Sequence, residues 1–166
     1  MTKVAILMGS DSDEEIMKGS WEALEEFGVD YEVRVLSAHR TPDAAIKFAK
    51  DARKNGISVI IAGAGGAAHL PGVLAANTTV PVIGVPISSG ILDGLDALLS
   101  IAQMPRGIPV ATVAVDNSRN AGLLALRILS LFNEKIHNQY EQMVSNFKEQ
   151  VLKKDKSMKA KHSKGA

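Results

Sequence analysis

The chain has no cysteine among its 166 residues. That excludes disulfides, thiolate nucleophiles and cysteine-based metal sites together. It has almost no net charge: 19 Lys and Arg against 18 Asp and Glu leave +1, so no global basic field points to nucleic acid. It lacks long apolar runs, since Gly, Pro or charge interrupts each stretch well before the ~18 residues a membrane span needs. Met1-Thr2-Lys3 leads straight into a strand-like segment, without the charged and apolar stretches of a signal peptide. A cytoplasmic protein with no membrane or nucleic-acid partner is expected.

What is present is a hydrophobic content of 46%, ample for the core of one domain at this length. Short apolar runs alternate with helical patterns. Lys3 to Met8 reads as a first strand; from Glu14, Ile16, Met17, Trp21, Leu24 and Phe27 recur at helical spacing until Gly28. Tyr31 to Leu36 reads as a second strand, followed by a helix that Pro42 opens and Asn55-Gly56 ends. Ile57 to Ala62 is a third strand, apolar apart from Ser58 as in parallel sheets buried on both faces. A Gly63 to Gly66 turn, a short helix through Val73 to Ala76, a strand from Pro81 to Val85, a helix from Leu95 to Ile101 and a fifth strand from Pro109 to Val115 follow.

After Asn117 the pattern is helical to about Val151. Its second part carries a stripe of Ile136, Tyr140, Met143, Val144, Phe147 and Val151, which needs either the domain itself or a neighbouring subunit to cover it. The expected architecture is a single doubly wound, flavodoxin- or Rossmann-like α/β domain. It has three layers, a central parallel sheet of about five strands and a long C-terminal helix. The catalytic domain is expected over 1–152. A solvated Lys-rich tail over 153–166 carries Lys153, Lys154, Lys156, Lys159, Lys161 and Lys164.

In such sheets ligands bind beyond the carboxyl ends of the strands, which directs attention to four loops. The first, Gly9-Ser10-Asp11-Ser12-Asp13, opens a helix. Its glycine admits close approach, its hydroxyls and helix-start amides favour an anion, and Asp13 can cap the helix or hold a ribose hydroxyl; plain N-capping is the alternative. The second, Ser37-Ala38-His39-Arg40-Thr41-Pro42, joins a proton shuttle to an anion clamp. Imidazoles as a class titrate near neutrality, and guanidinium presents a fixed fork of donors. A structural histidine beside a surface ion pair is the alternative there. The third, Gly63 to Gly72, contains a formal GxGxxA. It follows the third strand, not the first, and no acidic residue ends the next strand, so dinucleotide binding is disfavoured. A wall of small residues around a planar or anionic group remains, with His69 either assisting or capping. The fourth, Pro86-Ile87-Ser88-Ser89-Gly90, is polar enough to close over a ligand.

Metal binding has little support, because His39, His69, His137 and His162 show no ligand spacing. No GxSxG elbow supports a serine hydrolase. A phospho-acceptor signalling module would carry Asp at the end of its third strand and Lys after its fifth. Here Gly63 follows Ala62, and Asp116-Asn117 follows the fifth strand.

Four segments in order, Met8 to Asp13, Ser37 to Pro42, Gly63 to Gly72 and Gln103-Met104-Pro105-Arg106-Gly107-Ile108-Pro109-Val110, closely resemble the PurE family over about residues 3 to 150. These are the N5-carboxyaminoimidazole ribonucleotide mutases of de novo purine synthesis. The resemblance implies an isomerase that moves a carboxylate from the exocyclic nitrogen of an aminoimidazole ribonucleotide to ring carbon C4, without ATP, metal or organic cofactor. It implies His39 as the proton-transfer residue, Ser10 and Arg40 near the phosphate, and Asp13 near the ribose. Gly9, Ser12, Ser37 and Ala38 then line the site, with Ala64, Gly65, Gly66, His69 and Leu70 around the migrating carboxylate. It further implies a homo-octamer and a functional link to the ATP-dependent synthetase that makes the substrate. The related carboxylase class, which uses aminoimidazole ribonucleotide and free CO₂, is the nearest rival; the Gln103-Met104-Pro105 segment looks more like the mutase class.

Overall fold

Strict period-two burial organises the molecule, for which a computed structural model describes residues 3–162. In β1 (Lys3–Met8), Val4, Ile6 and Met8 enter one hydrophobic cluster, while Ala5 and Leu7 enter another. The same division holds in β3 (Ile57–Gly65), where Val59 and Ile61 oppose Ile60 and Ala62. A strand buried on both faces must be covered on both sides. With β2 (Asp30–Val35), β4 (Val82–Ile87) and β5 (Ala111–Thr112), these strands form one parallel sheet in the order β2-β1-β3-β4-β5. That is the doubly wound order in which the chain reverses direction between β1 and β3.

One face is covered by α1 (Glu14–Glu26), α5 (Ser118–Ser130) and the start of α6 (Glu134–His162). The other is covered by α2 (Pro42–Asp51), α3 (Leu70–Ala75) and α4 (Leu95–Ala102). Helices α1 and α5 cross closely because Gly122 sits at the contact. A Cβ there would lie 2.6 Å from the Ser20 carbonyl oxygen and 2.9 Å from the Ala23 Cβ. Arg119 closes the same pair with a two-pronged bond to Glu26, at 3.0 and 2.8 Å. That bond holds the Glu26 carboxyl below its ordinary range.

Several boundaries differ from expectation for identifiable reasons. Strand β3 runs to Gly65, so Gly63 to Gly65 are sheet and not turn; they pair with Val85, Pro86 and Ile87 of β4. Pro86 and Ile87 therefore belong to a strand, although proline is poorly suited to a central one. The nitrogen and carbonyl of one strand residue point to the same side. Pro86 accepts on the β5 side, from Asp116 N–H at 2.9 Å, so its missing N–H falls where the regular β4–β5 ladder has already ended at Gly84. Strand β5 shrinks from the expected seven-residue run to Ala111–Thr112 at the sheet edge.

The helical region after Asn117 breaks before Asn133, whose side chain accepts the Ile136 N–H at 3.2 Å and so starts α6. That helix continues to His162, well past Val151. Residues 152–162 contain no Gly or Pro and are rich in good helix formers, and Lys159, Lys161 and His162 suit the negative end of the helix dipole. Of the terminal stripe, Ile136 is buried and Tyr140 and Met143 pack on the core, whereas Val144, Phe147 and Val151 are exposed. Lys164 lies outside the described residues. No helix among them is long and apolar enough to cross a membrane.

Replacing Gly122 with Val should force α1 and α5 apart and lower stability by about 1–3 kcal/mol, the usual range for overpacking. Thermal unfolding checks this: the midpoint should fall by several degrees, and an unchanged midpoint would contradict the close crossing.

Candidate active site

The cleft lies where the winding reverses, beyond the carboxyl ends of β1 to β4. It encloses about 540 Å³ and is lined from every one of those connections: Gly9 to Asp13, Ser37 to Arg40, Ala64 to Leu70, and Ser89. Twelve of the thirteen residues expected at the site line it. The exception is Gly66, which sits in the turn behind the wall with φ +59°. Ala68 and Ser89 line the cleft beyond those thirteen. Ala68 is buried in left-handed backbone, φ +46°, a placement the sequence pattern does not reveal.

Each wall is fixed locally. After β1, Ser10 caps a single turn of 3-10 helix from Asp11 to Asp13, its Oγ accepting the Ser12 N–H at 3.4 Å. Ser12 Oγ then donates to the Asp13 carboxylate at 3.3 Å. After β2, Leu36 N–H bonds to Met8 O at 2.9 Å and carries the sheet one step further. The next turn is closed by reciprocal bonds. Thr41 Oγ1 accepts the Ser37 N–H at 3.0 Å, and Ser37 Oγ accepts the Arg40 N–H at 3.1 Å. Thr41 thus sets the geometry that aims His39 and Arg40. Its signal in the sequence was the pair of hydroxyl residues bracketing them.

Arg40 reaches back across the cleft and donates from Nη2 to Gly9 O at 2.9 Å. The guanidinium is thereby joined to the first loop, with its remaining donors free to meet an anion. His39 meets His69: Nε2 and Nδ1 stand 2.7 Å apart, and the rings meet edge to face with centroids at 4.9 Å. One nitrogen must donate and the other accept, so the two tautomers are linked. His69 precedes α3 but makes no capping bond to it, which removes the capping alternative.

The third wall is nearly bare of side chain. A Cβ on Gly65 would lie 2.7 Å from Ser89 Oγ and 3.2 Å from Ile87 O. Because β3 stays extended through Gly65, the glycine turn of a dinucleotide-binding motif does not form here. Among the described residues, no three of His, Asp or Glu come together as metal ligands.

The family model for AIR carboxylase matches residues 3–150. The chain belongs to the AIR carboxylase family. Among its relatives, the N5-carboxyaminoimidazole ribonucleotide mutase of Pyrococcus horikoshii is 57% identical over 155 residues, covering 93% of this chain and 88% of the relative. The phosphoribosylaminoimidazole carboxylase of Schizosaccharomyces pombe is 56% identical over 91% of this chain, which spans only 27% of that longer protein. The crystal structure of Treponema denticola PurE superposes with a TM-score of 0.87 at 29% identity, covering 96% of this chain and 99% of that one. The family and the doubly wound fold expected from the sequence are thus both met.

Burial lifts the Asp13 carboxyl above the ordinary aspartate range, against the opposing pull of the Ser12 hydroxyl, the Ser10 backbone and the more distant Arg40 charge. A raised carboxyl means that the folded state holds its proton more tightly than the unfolded one. Stability therefore falls as pH rises from the unfolded value to the folded one, and stays lower above it. Asp13→Asn should unfold at or above the wild-type midpoint at neutral pH, with the difference shrinking in acid. Calorimetry across pH checks this; a variant less stable at neutral pH than in acid, relative to wild type, would contradict it.

Proposed function

We propose that the protein catalyses the interconversion of N5-carboxyaminoimidazole ribonucleotide and 4-carboxy-5-aminoimidazole ribonucleotide, as a mutase of de novo purine synthesis. The observation that carries the reading is the His39–His69 pair facing a wall of Ala64 and Gly65, with Arg40 beside it. Both the N-terminal loop and the small-residue wall surround one imidazole, and that is what a carboxylate migration needs. The mutase class, not the carboxylase class, is supported by the relatives whose length the chain nearly spans, such as the P. horikoshii mutase at 88%.

In this reading Arg40 and Ser10 take the phosphate and Asp13 the ribose hydroxyls, with Gly9, Ser12, Ser37 and Ala38 lining the sugar and base. His39 donates a proton to the exocyclic nitrogen of the carbamate. The carbon–nitrogen bond breaks and its electron pair stays on nitrogen, releasing CO₂ and the neutral aminoimidazole. C4 attacks the CO₂, forming the new carbon–carbon bond, and His39 removes the C4 proton to restore aromaticity. One proton is given and one recovered, so no external acid, base or energy source is consumed. His69 Nδ1 bonds His39 Nε2 and orients the His39 ring. A pocket walled by Ala64, Gly65 and Leu70 retains CO₂ near C4, so recombination outruns escape.

We also infer a cytoplasmic homo-octamer that receives its substrate from an ATP-dependent carboxylating synthetase. Residues 1–152 form the catalytic unit and 153–166 a Lys-rich polar extension. The exposed Val144, Phe147 and Val151 on α6 support self-association; light scattering that gave a monomer would overturn it.

His39→Asn should fold and bind the ribonucleotide but lose at least ~10²-fold in kcat, the low end of what a positioned acid–base group supplies. Ultraviolet detection of conversion between the two carboxylated ribonucleotides, without ATP, measures it. Full turnover in that variant sinks the mechanism. Faster carboxylation of aminoimidazole ribonucleotide by CO₂ than mutase turnover by the wild type would favour the carboxylase class.

A further inference from the structure

Asp116 stands outside the cleft, yet it bonds to Pro86 and Ser88, just ahead of Ser89 in the cleft wall. The chain after β5 continues along β4 beyond the regular ladder: Val113 N–H bonds to Gly84 O at 3.1 Å, and Asp116 N–H bonds to Pro86 O at 2.9 Å. In a parallel ladder the residue that donates to Pro86 O would accept the Ser88 N–H on its own main-chain carbonyl. Asp116 cannot stay extended to do so, because its φ is +57° and the chain turns there into α5. Its side chain takes the place of that carbonyl: Ser88 N–H donates to Asp116 Oδ1 at 2.8 Å. One residue thus completes the β4 edge with a backbone donor and a side-chain acceptor.

The bond holds the segment that needs holding. Ser88 is followed by Ser89, which lines the cleft, and by three residues in left-handed backbone: Gly90 at φ +70°, Asp93 at +45° and Gly94 at +87°. The two glycines take this backbone freely and Asp93 takes it at some cost in strain, so the segment holds one conformation best when its ends are fixed. On the cleft side, Ser89 Oγ sits so close to Gly65 that a Cβ there would be 2.7 Å away. Strand β4 is therefore clamped between Asp116 on its outer edge and Gly65 on its inner one.

We propose that Asp116 is a positioning residue that holds Ser88, and through it Ser89, against Gly65, so closing the wall behind the migrating carboxylate. This rests on the mutase reading. Loss of the bond lets the Ser89 segment lift. The substrate still binds through Arg40 and the first loop, but more of the CO₂ escapes before C4 captures it. The loss should appear in kcat and in the partition between product and free aminoimidazole ribonucleotide plus CO₂, not in KM.

Three substitutions separate this from a structural role. Asn keeps both the acceptor and tolerance of left-handed backbone; Gly keeps the backbone and removes the acceptor; Ala removes the acceptor and strains the backbone. D116G and D116A should both lose about tenfold in kcat, the worth of one charge-assisted hydrogen bond. KM should move less than about twofold, and the released CO₂ fraction should rise. D116N should stay within about threefold of wild type. D116G should melt close to wild type, with D116A lower. If kcat follows the melting temperature instead, falling only in D116A, or if D116G matches wild type in kcat and CO₂ release, the positioning role is overturned. A wild type that interconverts nothing overturns the mutase reading and this role together, whereas an active wild type with an unaffected D116G overturns this role alone.

Discussion

Everything in the molecule depends on β1 and β3 being buried on both faces. Val4, Ile6 and Met8 face one layer and Ala5 and Leu7 the other, all essentially without solvent contact. Such strands cannot exist without helices on both sides. The connections between them must cross over, and parallel crossovers are right-handed. The reversal of winding direction between β1 and β3 then leaves a crevice at their carboxyl ends. The position of the cleft is thus a consequence of core packing. Its chemistry is whatever the emerging loops carry, and here those loops carry an arginine, a linked pair of imidazoles and a wall of small residues.

The division of labour around that crevice is electrostatic. The first two loops present hydroxyls, a carboxylate and the Arg40 guanidinium, suited to the polar half of a ribonucleotide. Apart from the His69 imidazole, the third presents only small or apolar groups, Ala64, Gly65, Ala68 and the buried Leu70. A small uncharged molecule such as CO₂ offers few handles for hydrogen bonding, so confinement has to replace attraction. The two imidazoles, bonded to each other, line the same cleft, and the proposed reaction passes its proton there between nitrogen and carbon.

Most of the fold was legible because buried parallel strands leave uninterrupted apolar runs, and Ile57 to Ala62 could hardly be read otherwise. Four loops at strand ends were legible because Gly, Ser, Pro and His cluster there. What escaped was long-range. Gly63 to Gly65 looked like a turn because glycine is a turn residue, yet here it keeps β3 clear of Met17, Ile87 and Ser89, whose atoms crowd each Cβ position. The meeting of His39 with His69 joins residues thirty positions apart, and nothing in either segment announces the other. The β5 edge was overestimated because β-branched residues continue to Val115, whereas the regular ladder ends at Thr112 and only isolated bonds to β4 follow it. The basic end of α6 looked like coil because it is polar, whereas polarity decides where a helix lies and not whether it forms.

That helix has a practical side. It is roughly 43 Å long at 1.5 Å per residue, and within it Ile136 is the last buried side chain, with every residue beyond Met143 exposed. Without tertiary contacts its distal turns open at almost no cost in free energy. They also hold Lys153, Lys154, Lys156, Lys159 and Lys161, each a tryptic cleavage point. A protease should trim this end first and stop where the helix meets the core, leaving a shorter chain with every strand and every cleft residue intact.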